Sequence, residues 1–443
     1  MHNPSFQTFA ALQQQLRQRW QDSADFEADD QDILVVPSFS VDQRVGQKVP
    51  GFLHYEERLL FSLIRLRNPH TRLIYVTAQP LAPLIIDYYL QLLSGIPFSH
   101  ARDRLLLVTT YDNSYKPLTQ KILERPRLVE RIRRALRPNQ SYMVCYNSTP
   151  LEQELSEKLQ IPLFAASPSL NYWGSKSGSR EIFQTAGVPF PDGSALVKTV
   201  PELIQVTAQL WERQPHLKRI VIKLNEGFSG EGNAVLKLPA LPQSASFTER
   251  CEQITAALPK LSFQASGETW DNFASRIPEL GAIAEAFIEG DPKRSPSVQG
   301  LITPSGEVQI LSTHDQILGG QDGQIYLGCH FPAASEYRLQ LQELGLKVGK
   351  ILAEKGAMER YGVDFIATEN PDHSWDLQAI EINLRKGGTT HPLMTLQLLT
   401  KGFYDCATGS FFTPQHQKKY YIASDNLQKP QYQGLLPSDL MDI

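Results

Sequence analysis

The chain has 443 residues, which is too long for one ordinary hydrophobic core and predicts two or three domains. With 20% charged and 41% apolar residues it has the balance of a globular protein, and its formal net charge of −4 argues against a nucleic-acid-binding surface. No apolar run approaches the roughly 18 residues that a membrane span needs, so no membrane partner is expected.

The N-terminus lacks the apolar core of a signal peptide, and the four cysteines are widely scattered, at Cys145, Cys251, Cys329 and Cys406. There is no CxxC pair or Cys/His cluster, so the sequence predicts neither a zinc site nor a disulfide. A reduced, cytoplasmic location is the default expectation.

The first third of the chain alternates strand-like and helix-like segments, a pattern typical of βαβ units around a parallel sheet. The loop after the first strand, Pro37–Asp42, contains no glycine, which argues against a dinucleotide site and hydride transfer. The predicted strands are Ile33–Val36, Leu73–Thr77, Leu105–Val108 and Tyr142–Tyr146, and the predicted helices lie around His54–Arg67, Pro83–Leu93, Arg127–Leu136 and Leu151–Leu159.

Two lysines then stand beside glycine-containing turns. Lys176 precedes a short predicted helix, Ser179–Thr185, and an exposed loop lysine is the alternative interpretation. Lys223 ends the strand-like run Arg219–Leu224, and the loop before the next run, Asn233–Leu238, carries three glycines: Gly227, Gly230 and Gly232. Such a loop lets backbone N–H groups approach an anion, although a flexible hairpin without a ligand is an equal alternative.

Helices are predicted next, followed by a buried strand, Gly281–Ile288, that contains one acid, Glu285. This carboxylate has either a local partner or the exocyclic amine of a bound heterocycle. A second hairpin follows, then a glycine-rich stretch from Thr313 that is predicted to loop over a site, and a tail from Lys401 without clear periodicity. The remaining predicted elements are Glu249–Leu258, Thr269–Ile277, Ser297–Thr303, Val308–Thr313, and Glu336–Met358 as one helix or a pair broken around Gly345 and Gly349.

The segment Gly362–Pro392 opens with two apolar runs around a turn-rich cluster and predicts a β-hairpin. A midpoint between Asp372 and His373 places Asp364 opposite Glu381, and Asn383 shares a strand face with Glu381. Two carboxylates about 5 Å apart repel by roughly 3 kcal/mol at an effective dielectric of 20. A divalent cation removes that repulsion, and oxygen-only ligands favour Mg²⁺. A solvated polar hairpin face is the alternative.

Together these features predict a nucleoside-triphosphate site that is not a P-loop. The motifs SKSGSREIFQTAGVPFP, VIKLNEGFSGEGNAVL, AEAFIEG, and GVDF followed by EINLRKGGTTHP resemble the ATP-grasp superfamily over roughly residues 1 to 400. SKSGSR, HDQILGG and YLGCHFP are similar to the pheganomycin-type peptide ligases. The resemblance implies an α/β and α+β chain, with a Rossmann-like parallel-sheet domain at 1–168, a two-lobed ATP-grasp domain at 169–400 (lobes 169–285 and 286–400), and a tail at 401–443.

The resemblance also implies residue roles. Arg385 and Lys223 are the candidate catalytic residues, and the candidate Mg²⁺ ligands are Asp364, Glu381 and Asn383. Glu289 and Asp291 both match the acid that binds the ribose, and Asp291 is taken as the candidate. The implied ATP-binding residues are Lys176, Lys223, Gly227, Ser229, Gly230, Gly232, Glu285, the backbone at Phe287 and Ile288, and Asp291.

The implied activity is ATP-dependent ligation: a carboxylate attacks the γ-phosphate to give an acyl phosphate and ADP, and an amine then forms an amide. ATP and Mg²⁺ are the expected cofactors, with Mn²⁺ as a second candidate metal, and small carboxylates, peptides and amines are the expected partners. Arg385, Lys386, His391 and His330 are candidates for the acyl phosphate or substrate carboxylate. An ATP-binding module without ligase activity and a phosphotransferase remain alternatives; substrate identity, homo-oligomerisation and a further C-terminal domain are left open.

Overall fold

The computed structural model describes residues 7–41, 43–48, 51–226, 232–242, 244–265, 267–319, 325–424, 427 and 429–442. Its first part is a parallel sheet in the order β3-β2-β1-β4, as the alternating pattern predicts. These strands are Gln31–Val36 (β1), Thr71–Thr77 (β2), Leu105–Thr109 (β3) and Ser141–Cys145 (β4).

Helices cover both faces of this parallel sheet, which explains why every residue of β1 is buried. They are Phe9–Asp22 (α1), Gln43–Lys48 (α2), Pro83–Gln91 (α3), Phe98–Asp103 (α4), Leu118–Leu123 (α5), Pro126–Ala135 (α6), Pro150–Leu159 (α7) and a 3₁₀ helix, Phe52–Arg67.

A smaller antiparallel sheet follows, in the order β7-β6-β5-β8. It packs on helices through an apolar core that contains Trp211 and Phe273. The elements of this part are Pro168–Gly174 (3₁₀), Lys176–Ala186 (α8), Val200–Arg213 (α9), Arg219–Leu224 (β5), Asn233–Lys237 (β6), Phe247–Ala257 (α10), Leu258–Lys260 (3₁₀), Ser262–Phe263 (β7), Trp270–Leu280 (α11) and Ala282–Ala286 (β8).

The largest sheet has the order β14-β13-β10-β11-β12-β18, and β9 pairs with β13. Its last strand comes from the tail after Lys401, so part of that tail belongs to this sheet. The elements are Lys293–Arg294 (β9), Pro296–Ile302 (β10), Val308–Gly319 (β11), Ile325–Phe331 (β12), Arg338–Glu354 (α12), Glu359–Glu369 (β13), Trp375–Asn383 (β14), Thr390–Thr400 (α13), Phe403–Asp405 (β15), Ser410–Phe412 (β16), Lys418–Lys419 (β17), Tyr421–Ser424 (β18), Pro430–Tyr432 (3₁₀) and Pro437–Asp442 (α14).

One prediction about this part of the chain differs from the structure, and for another the structure selects one of the two alternatives. The described residues from Thr313 to Phe331 form β11 and β12 rather than a loop, because they pair along both strands. The segment that contains Gly345 and Gly349 is one helix, α12. A Cβ at Gly345 would collide with Val298, and one at Gly349 with Tyr361, so these glycines permit close packing of helix on sheet.

Lys386, in the segment after β14, is joined to the start of β13 by a buried ion pair and to the N-terminal sheet by hydrogen bonds. The Lys386 ammonium lies 2.8 Å from Oε1 of Glu359 and donates to the carbonyl of Cys145, at the end of β4, at 2.8 Å. The backbone N–H of Lys386 donates to the carbonyl of Tyr146 at 3.3 Å. Nearby, Met394 and Leu398 of α13 join the same apolar core as Leu59. The turn after β14 is thus held against the carboxyl end of the N-terminal sheet.

Among the described residues, no helix is both long and apolar enough to pass through a lipid bilayer.

The Lys386→Met substitution is expected to lower the urea midpoint of unfolding, because it leaves the buried Glu359 carboxylate without its ammonium partner at a cost of roughly 3 kcal/mol. Adding Glu359→Gln should recover part of the loss, because the carboxylate is then replaced by a neutral group, while Arg360, whose Nε lies 3.9 Å from Oε1 of Glu359, loses a nearby negative charge. Lys347→Met, which removes an exposed pair with Glu343 on α12, is the matched control and should cost under about 1 kcal/mol. Equal effects of the two lysine substitutions would contradict this prediction.

Candidate functional site

A cavity of about 790 Å³ is lined by residues of the smaller antiparallel sheet, of the largest sheet and of segments next to the parallel sheet. Lys223 and Glu285 come from the smaller antiparallel sheet, and Asp364 comes from the largest sheet. Tyr146 follows the last strand of the parallel sheet. The predicted site residues on this lining are Lys223, Glu285, Phe287, Ile288, Asp364, Glu381, Asn383 and Arg385.

Glu285 lies on β8 and is almost completely buried, at 3% exposure. Its Oε2 is 2.5 Å from Nζ of Lys223, and its Oε1 is 3.0 Å from Nη1 of Arg180 on α8. Burial opposes ionisation of Glu285, but the two cations outweigh it and hold the pKa of the carboxyl below its usual range. Both oxygens are thus engaged by side chains of this lobe, which is the local-partner alternative; contact with adenine stays a prediction.

Asp364, Glu381 and Asn383 come together on one face of the β13–β14 hairpin, and Asp364 pairs directly with Glu381 as predicted. The pairing does not arise as predicted, however. A β-bulge between Asp364 and Phe365 shifts the register by one residue on the side of the hairpin towards the turn. The turn is therefore centred on Asp372, and the bulge restores the predicted pairing at the site. Burial and then the charge of Glu381 raise the pKa of Asp364 to about 6.

Asp364 accepts hydrogen bonds from two amides. Nε2 of Gln316, on β11, donates to Oδ1 at 2.6 Å, and Nδ2 of Asn383 donates to Oδ2 at 2.9 Å. Rotation of the Asn383 amide by half a turn would present its oxygen on the same side as the two carboxylates. The set therefore offers three oxygen ligands.

Lys176 lies at the first position of α8, after the N-cap residue Ser175, and reaches the same carboxylates. Its Nζ is 2.5 Å from Oε1 of Glu381, and its backbone N–H donates to the carbonyl of Asn225 at 3.1 Å. Lys176 is buried, so it is not the exposed loop lysine of the alternative interpretation. Its ammonium neutralises Glu381 as a bound cation would.

These residues fit a divalent metal by their chemistry. A raised carboxyl pKa, a second carboxylate beside it and a lysine ammonium held against that carboxylate all mark a place where positive charge is stabilised. In the described part of the chain, no three His, Cys, Asp or Glu side chains lie close enough together to hold a metal ion. The set at this site has two carboxylates and one amide, so it is not a group of that kind.

The predicted adenine and ribose residues are only partly on the cavity. The N–H of Phe287 donates to the carbonyl of Arg219 at 3.3 Å, and the carbonyl of Ile288 accepts from Nζ of Lys293 at 2.9 Å. Glu289 forms an ion pair with Arg219, and Asp291 is exposed. The described lining passes from Ile288 directly to Lys293, so neither acid borders the cavity.

Of the predicted glycine-rich loop, Gly227, Ser229 and Gly230 lie outside the described residues. Gly232 is described and has φ +91°, a conformation that favours glycine. A Cβ there would lie 3.2 Å from the side chain of Leu224, so the backbone also passes close to the end of β5. The closing of this loop over phosphates remains a prediction.

Arg385 lines the cavity two residues beyond Asn383, and its charge opposes the rise in the pKa of Asp364. The other candidates for the substrate carboxylate lie elsewhere. Lys386 is buried in the ion pair with Glu359, and His330 is exposed on β12. Burial, and to a smaller extent the charge of Arg58, lower the pKa of His391 to about 4, so this ring is neutral at pH 7.

Sequence reasoning missed several residues that the fold brings to the site. Arg180 and Gln316 lie inside the motifs SKSGSR and HDQILGG, so those motifs did contain a signal for them. Arg58 and Tyr55 lie in an ordinary amphipathic segment, where no residue pattern distinguishes a cavity-lining side chain from a packed one.

Comparison with known proteins identifies the family. The profile of the IQCH-like ATP-grasp family matches residues 168–263 and 242–407. The chain is 31% identical over 367 residues to an L-propargylglycine–L-glutamate ligase from Streptantibioticus cattleyicolor, which spans 81% of this chain and 72% of that protein. The chain belongs to the ATP-grasp superfamily. The family prediction made from the motifs is confirmed.

A second relative is IQ motif-containing protein H from Danio rerio, which is 24% identical over 424 residues. That match covers 86% of this chain, but the chain spans only 40% of the relative. The name of this second relative states no reaction.

Solved structures confirm the two-lobed fold. The biotin carboxylase–β,γ-ATP complex from Campylobacter jejuni superimposes with a TM-score of 0.52 at 15% identity, over 89% of this chain and 74% of that one. The biotin carboxylase domain of the Hydrogenobacter thermophilus 2-oxoglutarate carboxylase, a dimer in complex with MgADP, gives 0.51 at 15% identity, over 86% and 68%.

The Asp364→Asn substitution is expected to stabilise the metal-free protein at pH 7.5. The folded protein holds the pKa of Asp364 at about 6, above the value of roughly 3.9 in an unfolded chain, so its unfolding free energy falls as pH rises between these values. The gain should be about 1 to 3 kcal/mol at pH 7.5 and shrink towards pH 4.5, measured by urea unfolding in EDTA.

Asp372→Asn, in the exposed turn of the same hairpin, is the control and should bring no such gain, because Asp372 accepts hydrogen bonds from Ser374 that hold its pKa low. A loss of stability in Asp364→Asn that is equal at both pH values would contradict the charge argument.

Proposed function

We propose that the protein is an ATP-dependent carboxylate–amine ligase. It activates a carboxylate as an acyl phosphate and joins it to an amine, releasing ADP and phosphate. The observation that carries the proposal is that Lys223, a carboxylate–amide set and Arg385 line one cavity of an ATP-grasp fold, while Lys176 contacts that set through Glu381. The similarity to a named ligase over most of the chain supports it.

The triphosphate is assigned to the part of the cavity near Lys223 and near Glu381, the acid that Lys176 contacts. Each ammonium is buried and paired with a single carboxylate, Glu285 or Glu381, which sets its position within the site. An ammonium held in this way contacts an incoming phosphate oxygen without reorganising, and electrostatic preorganisation of this kind is the main source of rate in phosphoryl transfer.

Asp364, Glu381 and Asn383 would hold the metal, which is proposed to be Mg²⁺, with Mn²⁺ as the second candidate. When bound, it would neutralise charge on the phosphates of ATP. Gln316 meanwhile fixes the orientation of the Asp364 carboxylate. Arg385, which leaves β14 beside this set, is proposed to bind the transferring phosphoryl group or the acyl phosphate.

The two substrates are proposed to be amino acids or short peptides. This follows the printed substrates of the Streptantibioticus relative and is the finer part of the proposal. The site contains five cationic and four anionic side chains among its described lining residues, Arg58, Lys223, Lys293, Arg294 and Arg385 against Glu285, Asp315, Asp364 and Glu381. That excess of positive charge suits anionic ligands.

The free cysteines support a reducing, cytoplasmic setting, and homo-oligomerisation is left to experiment.

Incubation with ATP, Mg²⁺ and pairs of amino acids is expected to yield ADP, phosphate and a new amide, detected by mass spectrometry. Glu381→Gln should reduce kcat by about 100-fold or more, because it removes a charged group from the metal and phosphate site. Glu369→Gln, at the exposed end of the same hairpin, is the matched control and should retain activity.

Two outcomes would favour the alternatives. A phosphorylated product without any amide would indicate a phosphotransferase. ATP binding with no product from any pair of amino acids or peptides would indicate a nucleotide-binding module. Full activity of Glu381→Gln would contradict the proposed metal site even if the protein is a ligase.

A further inference from the structure

One end of the cavity is built by the N-terminal sheet region, away from the lysines that are assigned to ATP. Tyr55, Arg58 and Tyr146 line it from that region, and Gly387, Gly388 and Thr389 line it from the turn after β14. Arg58 and the two glycines also border a small adjoining cavity, so they lie side by side. This end of the cavity therefore has two walls, one from the N-terminal sheet region and one from the turn after β14.

The wall on the N-terminal side is rigid because its aromatic rings pack on one another. The Phe39 ring, which is 4% exposed, stacks on Tyr55 with centroids 5.3 Å apart and meets Tyr146 edge-on at 5.6 Å. The Arg58 guanidinium lies over the Tyr55 ring, 4.0 Å from its centroid. Stacking on an aromatic face restrains the guanidinium plane and leaves its N–H groups directed along their edges.

The opposite side of this end is fixed as well. Lys386 ties the turn to the carbonyls of Cys145 and Tyr146, so Gly387 and Gly388 are held beside the aromatic wall. A Cβ at Gly388 would press on the Tyr326 ring at 2.8 Å, so the backbone of the turn lies tightly against the lining. The space between turn and wall is thus of defined width, and Arg58 supplies positive charge there.

We propose that Arg58 binds a carboxylate that the reaction does not activate, carried by an amino-acid or peptide substrate. This inference rests on the proposed function and narrows the substrate class from any carboxylate–amine pair to pairs in which one partner bears this additional carboxylate. A planar guanidinium matches a carboxylate in a two-point contact, and the aromatic wall accommodates the adjoining Cα region. Arg385 lies nearer the Asp364 set, so the two arginines serve different carboxylates.

Either substrate could bring this carboxylate: the amine-bearing partner, or the partner whose other carboxylate is activated. Amidation of one substrate at a time distinguishes the two. The wild-type protein should use the pair that lacks the recognised carboxylate with a KM raised roughly 10- to 100-fold, the range expected for losing a charge-assisted hydrogen bond.

The decisive comparison uses Arg58→Gln, Arg58→Lys and the control Arg131→Gln, which removes an exposed charge from α6 of the same region. Arg58→Gln should raise KM for the carboxylate-bearing substrate by the same 10- to 100-fold and leave KM for ATP unchanged. It should no longer distinguish that substrate from its amide. Arg58→Lys should fall between the two, because it keeps the charge but loses the two-point contact, and Arg131→Gln should match the wild type.

An Arg58→Gln variant that still distinguishes carboxylate from amide as the wild type does would overturn the proposal while leaving ligase activity established. If the wild type forms no amide at all, the proposed function fails. The role of Arg58 can then still be tested by measuring the binding of amino acids. Calorimetry with Mg²⁺ and a non-hydrolysable ATP analogue would then compare the twenty α-amino acids with their amides. Binding that depends on both Arg58 and the carboxylate supports the assignment; no such binding refutes it.

Discussion

The site depends on placing several carboxylates in one interdomain cavity, where each must be compensated by positive charge or by protonation. Glu285 is compensated by Lys223 and Arg180, and Glu381 by Lys176. Asp364 is held instead by two amides, and burial raises its pKa to about 6. The charge that Asp364 demands is the charge a divalent cation supplies. Local instability of the metal-free site and affinity for a cation therefore have the same physical origin.

The ion pairs of Lys176 and Lys223 also fix the two ammonium groups that are proposed to bind phosphate. Lys176 starts a helix whose backbone is anchored to the carbonyl of Asn225, and Lys223 ends a strand whose partner carries Glu285. Both ammonium groups are therefore positioned by secondary structure and by an acid, not by a mobile loop. A phosphate that approaches shares these cations with the carboxylates, and a metal on Glu381 lessens the hold of that acid on Lys176.

Most of the fold could be predicted from the sequence, because the spacing of apolar residues in most segments agrees with the helix or strand that the segment forms. The four parallel strands, both principal hairpins and the pairing of Asp364 with Glu381 were all predicted from residue patterns. The second half of β11 and the whole of β12 were missed because glycine and polar residues, which usually indicate a loop, are there paired with neighbouring strands. The bulge beside Asp364 and the interdomain position of Arg58 depend on tertiary packing, which no local pattern encodes.

The position of Lys386 explains why the substrate end and the nucleotide end of the cavity rest on different parts of the molecule. The motif after β14 supplies Arg385 to the cavity and Lys386 to the buried pair with Glu359. One of these adjacent side chains therefore lies in the candidate site, and the other stabilises the fold. Because Lys386 fixes the turn to the N-terminal sheet, the wall with Arg58 keeps its distance from Asp364 independently of the smaller lobe that carries Lys223. In the proposed ligase, a movement of that lobe on ATP binding would change the contacts to the phosphates and leave the wall with Arg58 in place.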